Sequence, residues 1–255
     1  MNFVGCNRVR TALLTAMLVL TAEGPAMAQF GGPPAPTGPA RTIAPIDLTG
    51  QWVSIVTEDW RFRMVTPPKG DFPGLALTPA ARAMADAWDP AKDEAEGNEC
   101  RSYGAAAVMR VPGRIRISWR DDSTLEVQTD AGRQTRVFLF GAVPQPASEP
   151  TWQGISEAQW LRHRAPPGSE PNGSLKVMTI GMKAGYLRKN GLRYSANAVI
   201  TEYFDILHQP DGSQWLVVKT IVEDPEYLTA AFITSSNFRR QPDRRGWDPT
   251  PCSAR

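Results

Sequence analysis

The sequence predicts a mainly β fold, an antiparallel up-and-down β-barrel or strongly curled sheet of about ten strands with short helical insertions. Three observations carry that expectation. Segments that alternate polar and apolar residues recur from Trp52 to Arg239. Compact turn signals separate them, among them Pro112-Gly113, Asp130-Ala131-Gly132, Asn190-Gly191 and Pro210-Asp211-Gly212. Helix-forming patterns are confined to two short stretches. Sequential strands in this number close on themselves most readily through hairpins.

The first 28 residues read as a signal peptide. Arg8 and Arg10 precede an apolar run from Thr11 to Thr21, and Ala26-Met27-Ala28 supplies a small-x-small cleavage pattern, leaving Gln29 as the first mature residue. The run is shorter than the roughly 18 to 20 residues that span a bilayer, so no transmembrane segment is expected in the mature chain. The expected location is periplasmic or secreted. Residues 29–45 are mostly Gly, Pro and Ala and read as a flexible leader, and 46–255 as a single barrel-like domain.

Cleavage removes Arg8, Arg10 and Glu23, which leaves 26 basic and 25 acidic residues of the 28 and 26 in the whole chain. That near-neutral balance gives no electrostatic footprint for nucleic acid or for an anionic membrane. Two cysteines remain, Cys100 and Cys252. An even count in an oxidising compartment reads as a disulfide, closing a loop of about 150 residues and contributing roughly 4 to 5 kcal/mol by the chain-entropy model.

In chain order the expected strands are Trp52–Thr57, Trp60–Val65, Ala106–Val111, Arg114–Arg120, Thr124–Thr129, Gln134–Phe140, Leu175–Met182, a long and bent Leu192–Leu207, Gln214–Val222 and Ala231–Arg239. Thr78-Pro79 is an N-cap followed by proline at the first helical position, and Ser156 with Gln159 resembles a capping box opening a short helix through Trp160.

Candidate site residues come from polar groups on strand faces. Trp60, Phe62 and Met64 alternate with Arg61 and Arg63, so a cleft there would stack a planar ligand on Trp60 and hold a carboxylate or phenolate with an arginine. Arg116 alternates with Ile115 and Ile117: it faces solvent on a half-buried strand, or a ligand inside a barrel. Glu202 falls between Ile200 and Phe204 on an apolar face, near Tyr203 and Tyr194. Without a cationic partner, desolvation would raise its pKa into the range useful for acid-base work. With a partner such as Lys219 or an arginine, it would be structural. Glu202 and Tyr203 are therefore the candidate catalytic residues, and Trp60, Arg61, Arg63, Tyr194 and Arg116 the candidate ligand contacts. The two histidines, His163 and His208, stand far apart without repeating carboxylate spacing, so no metal and no cofactor is expected. No Gly-x-Ser-x-Gly elbow is present.

Asp47-Leu48-Thr49-Gly50-Gln51-Trp52 resembles the opening of lipocalin-like (calycin-type) barrels. The resemblance implies that Trp52 plugs the closed end of the barrel, and that an arginine near the last strand, Arg239 or Arg240, packs on it. It covers the two ends of the domain. A second resemblance, to secreted bacterial proteins of unknown activity, spans Leu192 to Arg240 through Thr201-Glu202-Tyr203-Phe204 and Val222-Glu223-Asp224-Pro225. The function these readings imply is a periplasmic barrel that binds a small, mostly apolar, aromatic molecule. The alternatives are a cofactor-independent acid-base enzyme (a lyase, isomerase or hydrolase) on the same barrel, and a structural or assembly protein of the envelope. An apolar pocket points to the binder, a pocket lined by Glu202 and tyrosines to the enzyme, and a filled barrel to the envelope protein.

Overall fold

The computed structural model describes residues 37–141, 149–163, 166 and 172–254; the signal peptide expected over residues 1–28 and residues 29–36 of the expected leader lie outside them. Eleven strands and three short helices follow one another as β1 (Gly50–Ile55), α1 (Trp60–Arg63), α2 (Pro79–Asp86), α3 (Pro90–Ala95), β2 (Arg114–Asp121), β3 (Thr124–Thr129), β4 (Thr135–Phe140), β5 (Ile155–Arg162), β6 (Gly173–Ile180), β7 (Gly185–Arg188), β8 (Leu192–Tyr194), β9 (Val199–His208), β10 (Gln214–Glu223) and β11 (Phe232–Gln241). Nine of the strands close a barrel in the order β1-β11-β10-β9-β6-β5-β4-β3-β2, while β7 and β8 form a separate hairpin. No helix among the described residues is long and apolar enough to cross a membrane.

The barrel is mixed rather than purely up-and-down. β4 and β5 run parallel, with Phe138 opposite Ser156 and Phe140 opposite Ala158. A parallel neighbour requires a crossover of about a dozen residues, and β4 ends at Phe140 while β5 begins at Ile155. The helix expected at Ser156–Trp160 is instead β5. Eight register pairs with β6 and a two-residue alternation, Ser156 and Ala158 in with Glu157 and Gln159 out, outweigh the local capping pattern. Two expected strands are also replaced. Trp60–Val65 turns into α1, and Ala106–Val111 into a 3₁₀ turn over Val108–Arg110, because the Gly104 carbonyl accepts from both Ala107 and Val108. The long strand from Leu192 breaks at Ser195, whose backbone N–H and hydroxyl both donate to the Asp224 carboxylate.

Alternation fills the interior. Ile115, Ile117, Leu125, Val127, Phe138, Leu175, Val177, Phe204, Leu216, Val218 and Phe238 are buried together with Trp52 in one apolar cluster. At the end where the chain enters, Trp52 is fully buried, its indole N–H donates to the Leu48 carbonyl, and the Arg240 guanidinium lies 5.4 Å above its ring. Arg240 also donates to the Thr49 carbonyl at 2.7 Å. Part of the leader packs here instead of moving freely: the Trp160 indole donates to the Ala40 carbonyl and the Arg41 amide to that of Asp122. The ordered chain therefore begins before Ile46. Residues 57–113 and the β7–β8 hairpin belong to the opposite end, around a second cluster that includes Phe72, Leu187, Leu192, Tyr194, Ile200 and Phe232. Cys100 and Cys252 are disulfide-bonded with Cα atoms 5.1 Å apart, which ties the C-terminal tail to this cap.

Candidate functional site

Glu202 faces the barrel interior and is fully buried, but it has a cationic partner. The Arg136 guanidinium on β4 meets it end-on, Nη1 to Oε1 at 2.9 Å and Nη2 to Oε2 at 2.5 Å, and Arg136 is fully buried too. The condition for a catalytic carboxyl, no cation within reach, is not met. Arg136 was missed in the sequence reading, although it alternates with Phe138 and Phe140 as Glu202 does with Ile200 and Phe204. Two opposite charges on inward faces are the pattern that gives the pair away. Tyr203 points outward, where Lys219 lies 4.5 Å from its ring, so it joins Glu202 in no common site. Tyr194 is buried with its hydroxyl unpartnered, and burial pushes the phenol up from its ordinary pKa. Its ring end fits only because two neighbours lack side chains: a Cβ on Gly104 or Gly185 would stand 2.2 or 2.6 Å from the hydroxyl.

Arg116 lies on the outer face, stacked 4.0 Å from the Trp247 ring and donating to Gln51, while Ile115 and Ile117 fill the interior. The inward-facing role is thereby excluded. Trp60 and Arg61 are exposed, and Arg61 pairs with Asp71. Only Arg63 of that segment is buried, because the chain makes a helical turn. Asp59 takes a left-handed backbone (φ 50°) and the Met64 amide donates to the Trp60 carbonyl, which regroups the side chains.

Arg63 lines a cavity of about 220 Å³ in the cap, together with Phe62, Arg110, Leu187, Arg188 and Lys189. Its walls are held by backbone contacts. Arg63 Nε donates to the Arg110 carbonyl at 2.8 Å, Arg110 Nη1 to the Leu187 carbonyl at 3.1 Å, and Arg188 Nη1 to the Pro73 carbonyl at 3.3 Å. The β7–β8 turn is fixed by Asn190, whose amide donates to the Pro68 and Asp71 carbonyls. Arg188 stacks on Phe62, 4.0 Å from the ring centre, and both residues border a neighbouring depression with Asp59, Pro73 and Phe232.

The charges do not balance. Arg63 pairs with Glu58, and Arg110 with Asp59 at 3.0 Å. Arg188 is only 5% exposed, yet no carboxylate among the described residues forms an ion pair with it. Each of the three guanidiniums also keeps one buried N–H without an acceptor: Arg63 Nη2, Arg110 Nε and Arg188 Nε. Burial lowers the pKa of all three, and brings Arg110 down to about 10. All remain charged at neutral pH. Among the described residues its lining holds three guanidiniums and no carboxylate, imidazole or thiol, which suits an anion. Arg110 and Arg188 carried no signal in the sequence, because Arg110 ends a 3₁₀ turn and Arg188 ends the short strand β7, all four of whose residues are buried, so neither shows a period from which burial can be read.

Comparison with protein-family models, with curated proteins and with solved structures gives no match. The functional reading therefore rests on the geometry of this chain.

One other constellation stands at the opposite end of the barrel. The Ser174 hydroxyl donates to Asp205 and lies 3.1 Å from His163 Nε2. In a nucleophilic triad the imidazole sits between hydroxyl and carboxylate. Here the hydroxyl sits between the other two, and Ser174 is buried. The arrangement is a hydrogen-bonded clasp between strands.

Proposed function

We propose that this protein is an exported barrel that binds a small organic anion, a carboxylate, phenolate or phosphate on an apolar body, in the arginine-lined cavity of its cap. The single observation that carries the reading is Arg188. An ionised group out of water is expensive unless it is paired, and a guanidinium that no carboxylate contacts, with Asp59 and Asp71 acting on it only from a distance, suits an external anion. Phe62, Leu187 and Val111 in the same walls suit the apolar body. The disulfide supports an oxidising compartment, and Trp52 beneath Arg240 supports the lipocalin-like reading of the barrel. The seat differs from the one the resemblance implies, because the barrel axis is occupied by side chains.

Calorimetric titration with benzoate, phenylphosphate and the neutral isostere benzamide tests this. The two anions should bind and benzamide should not; equal binding of benzamide, or none by the anions, overturns it. The filled interior favours a second reading, a structural or assembly protein of the envelope. That reading expects no binding by any of the three.

A further inference from the structure

Seven large apolar side chains are exposed among the described residues. Apolar residues scattered singly over a surface need no explanation, but a cluster at the mouth of a cavity does. Met64 (59% exposed) and Val65 (62%) line the arginine cavity, Trp60 (66%) opens the same helical turn, and Ile233 (60%) lines the adjoining depression. The patch is thus an apolar lip around a buried guanidinium that no carboxylate contacts directly.

The charges beside the lip have one sign in excess. Glu58, Asp59 and Asp71 are each taken by an arginine, namely Arg63, Arg110 and Arg61. Arg188 remains beneath the lip. Lys69 is exposed in the Pro68–Asp71 turn, which the Arg61–Asp71 pair joins to α1. Tryptophan is favoured at the headgroup level of a bilayer, where one side of its ring is wet and the other apolar. Exposed cations beside it are drawn to anionic lipid, and a guanidinium is suited to a phosphate oxygen pair.

We propose that the lip formed by Trp60, Met64 and Val65 docks on an anionic lipid surface, with a headgroup phosphate entering the arginine cavity. The inference rests on the reading of that cavity as an anion site and names the source of the anion. Side chains of this size that leave water on docking are each worth about tenfold in partition.

The test is co-sedimentation of the mature, disulfide-bonded protein with vesicles of phosphatidylcholine alone or mixed with phosphatidylglycerol. Binding should require phosphatidylglycerol. It should fall about a hundredfold in a Trp60→Ala/Met64→Ser variant, whose exposed substitutions leave the circular dichroism unchanged, and should be lost in Arg188→Met. Phenylphosphate binding without vesicle binding overturns the docking and leaves the cavity reading intact; loss of both overturns both. Vesicle binding that survives Trp60→Ala/Met64→Ser overturns the docking. So does a dimer in sedimentation velocity that Trp60→Ala dissolves, because the lip would then belong to a second copy.

Discussion

Replacing Glu202 by Gln separates a structural carboxylate from a working one. The substitution keeps the shape of the side chain and one acceptor oxygen, but leaves Arg136 charged in the barrel interior, 5.0 Å from the Phe138 ring. Thr179 is the remaining polar contact of its guanidinium, at 3.4 Å. Removing one member of a buried ion pair costs about 3–5 kcal/mol, a large part of the roughly 5–15 kcal/mol that holds a domain together. A double variant, Arg136→Met with Glu202→Leu, should recover most of that loss, since an apolar pair of similar volume is often as stable as the ions it replaces. Urea unfolding followed by tryptophan fluorescence reads the difference as a lower midpoint at unchanged slope. Ligand binding in the cap should survive in the folded fraction. A loss below about 1 kcal/mol, or a stable variant that no longer binds anions, would refute the structural assignment.

Two further outcomes follow from the same coordinates. Reduction of Cys100–Cys252, 152 residues apart in sequence, should lower stability by about 5 kcal/mol on the chain-entropy model, and thiol labelling of denatured, unreduced protein should find neither cysteine. Anion affinity should hold through neutral pH and fall as Arg110 loses its proton above about pH 10. Stability runs the other way: between that value and the ordinary arginine range, the unfolded chain still holds a proton the fold has released, so this group's own contribution rises with pH. Calorimetric titrations at pH 8, 9.5 and 10.5 check the affinity.

The barrel was legible because its strands repeat every two residues. Most of the strands from Arg114 onward lie where alternation puts them, and the interior face follows from the same count. The parallel β4–β5 pair was not legible, since alternation states which face a residue takes but not which strand lies beside it. Trp60–Met64 misled for a related reason. Its two-residue alternation is real, but Asp59 in a left-handed conformation starts a helical turn, and the turn buries Arg63 and half-buries Phe62 while Trp60 and Met64 stay exposed. Glu202 was rightly placed on the inner face, and the sequence reading already held that an arginine in reach would make it structural. The inward cation that decides the matter, Arg136, sits on another strand, and alternation does not say which strands face one another across the barrel. The cap was the least legible part. Arg110 and Arg188 come together from segments far apart in the chain, and only tertiary packing shows that they are buried.

Arg188→Met tests the central claim most directly. Unfolding free energies of this variant and of the unaltered protein are measured by urea titration, without and with phenylphosphate at about a hundredfold excess over its dissociation constant. If Arg188 is kept for an anion, the ligand-free variant is at least as stable as the original, because a buried unpaired charge has become an apolar side chain of similar length. With ligand, the original protein gains about 2.7 kcal/mol and the variant gains nothing. A variant that loses several kcal/mol without ligand, yet keeps the full gain with it, would contradict the account and make Arg188 a structural residue.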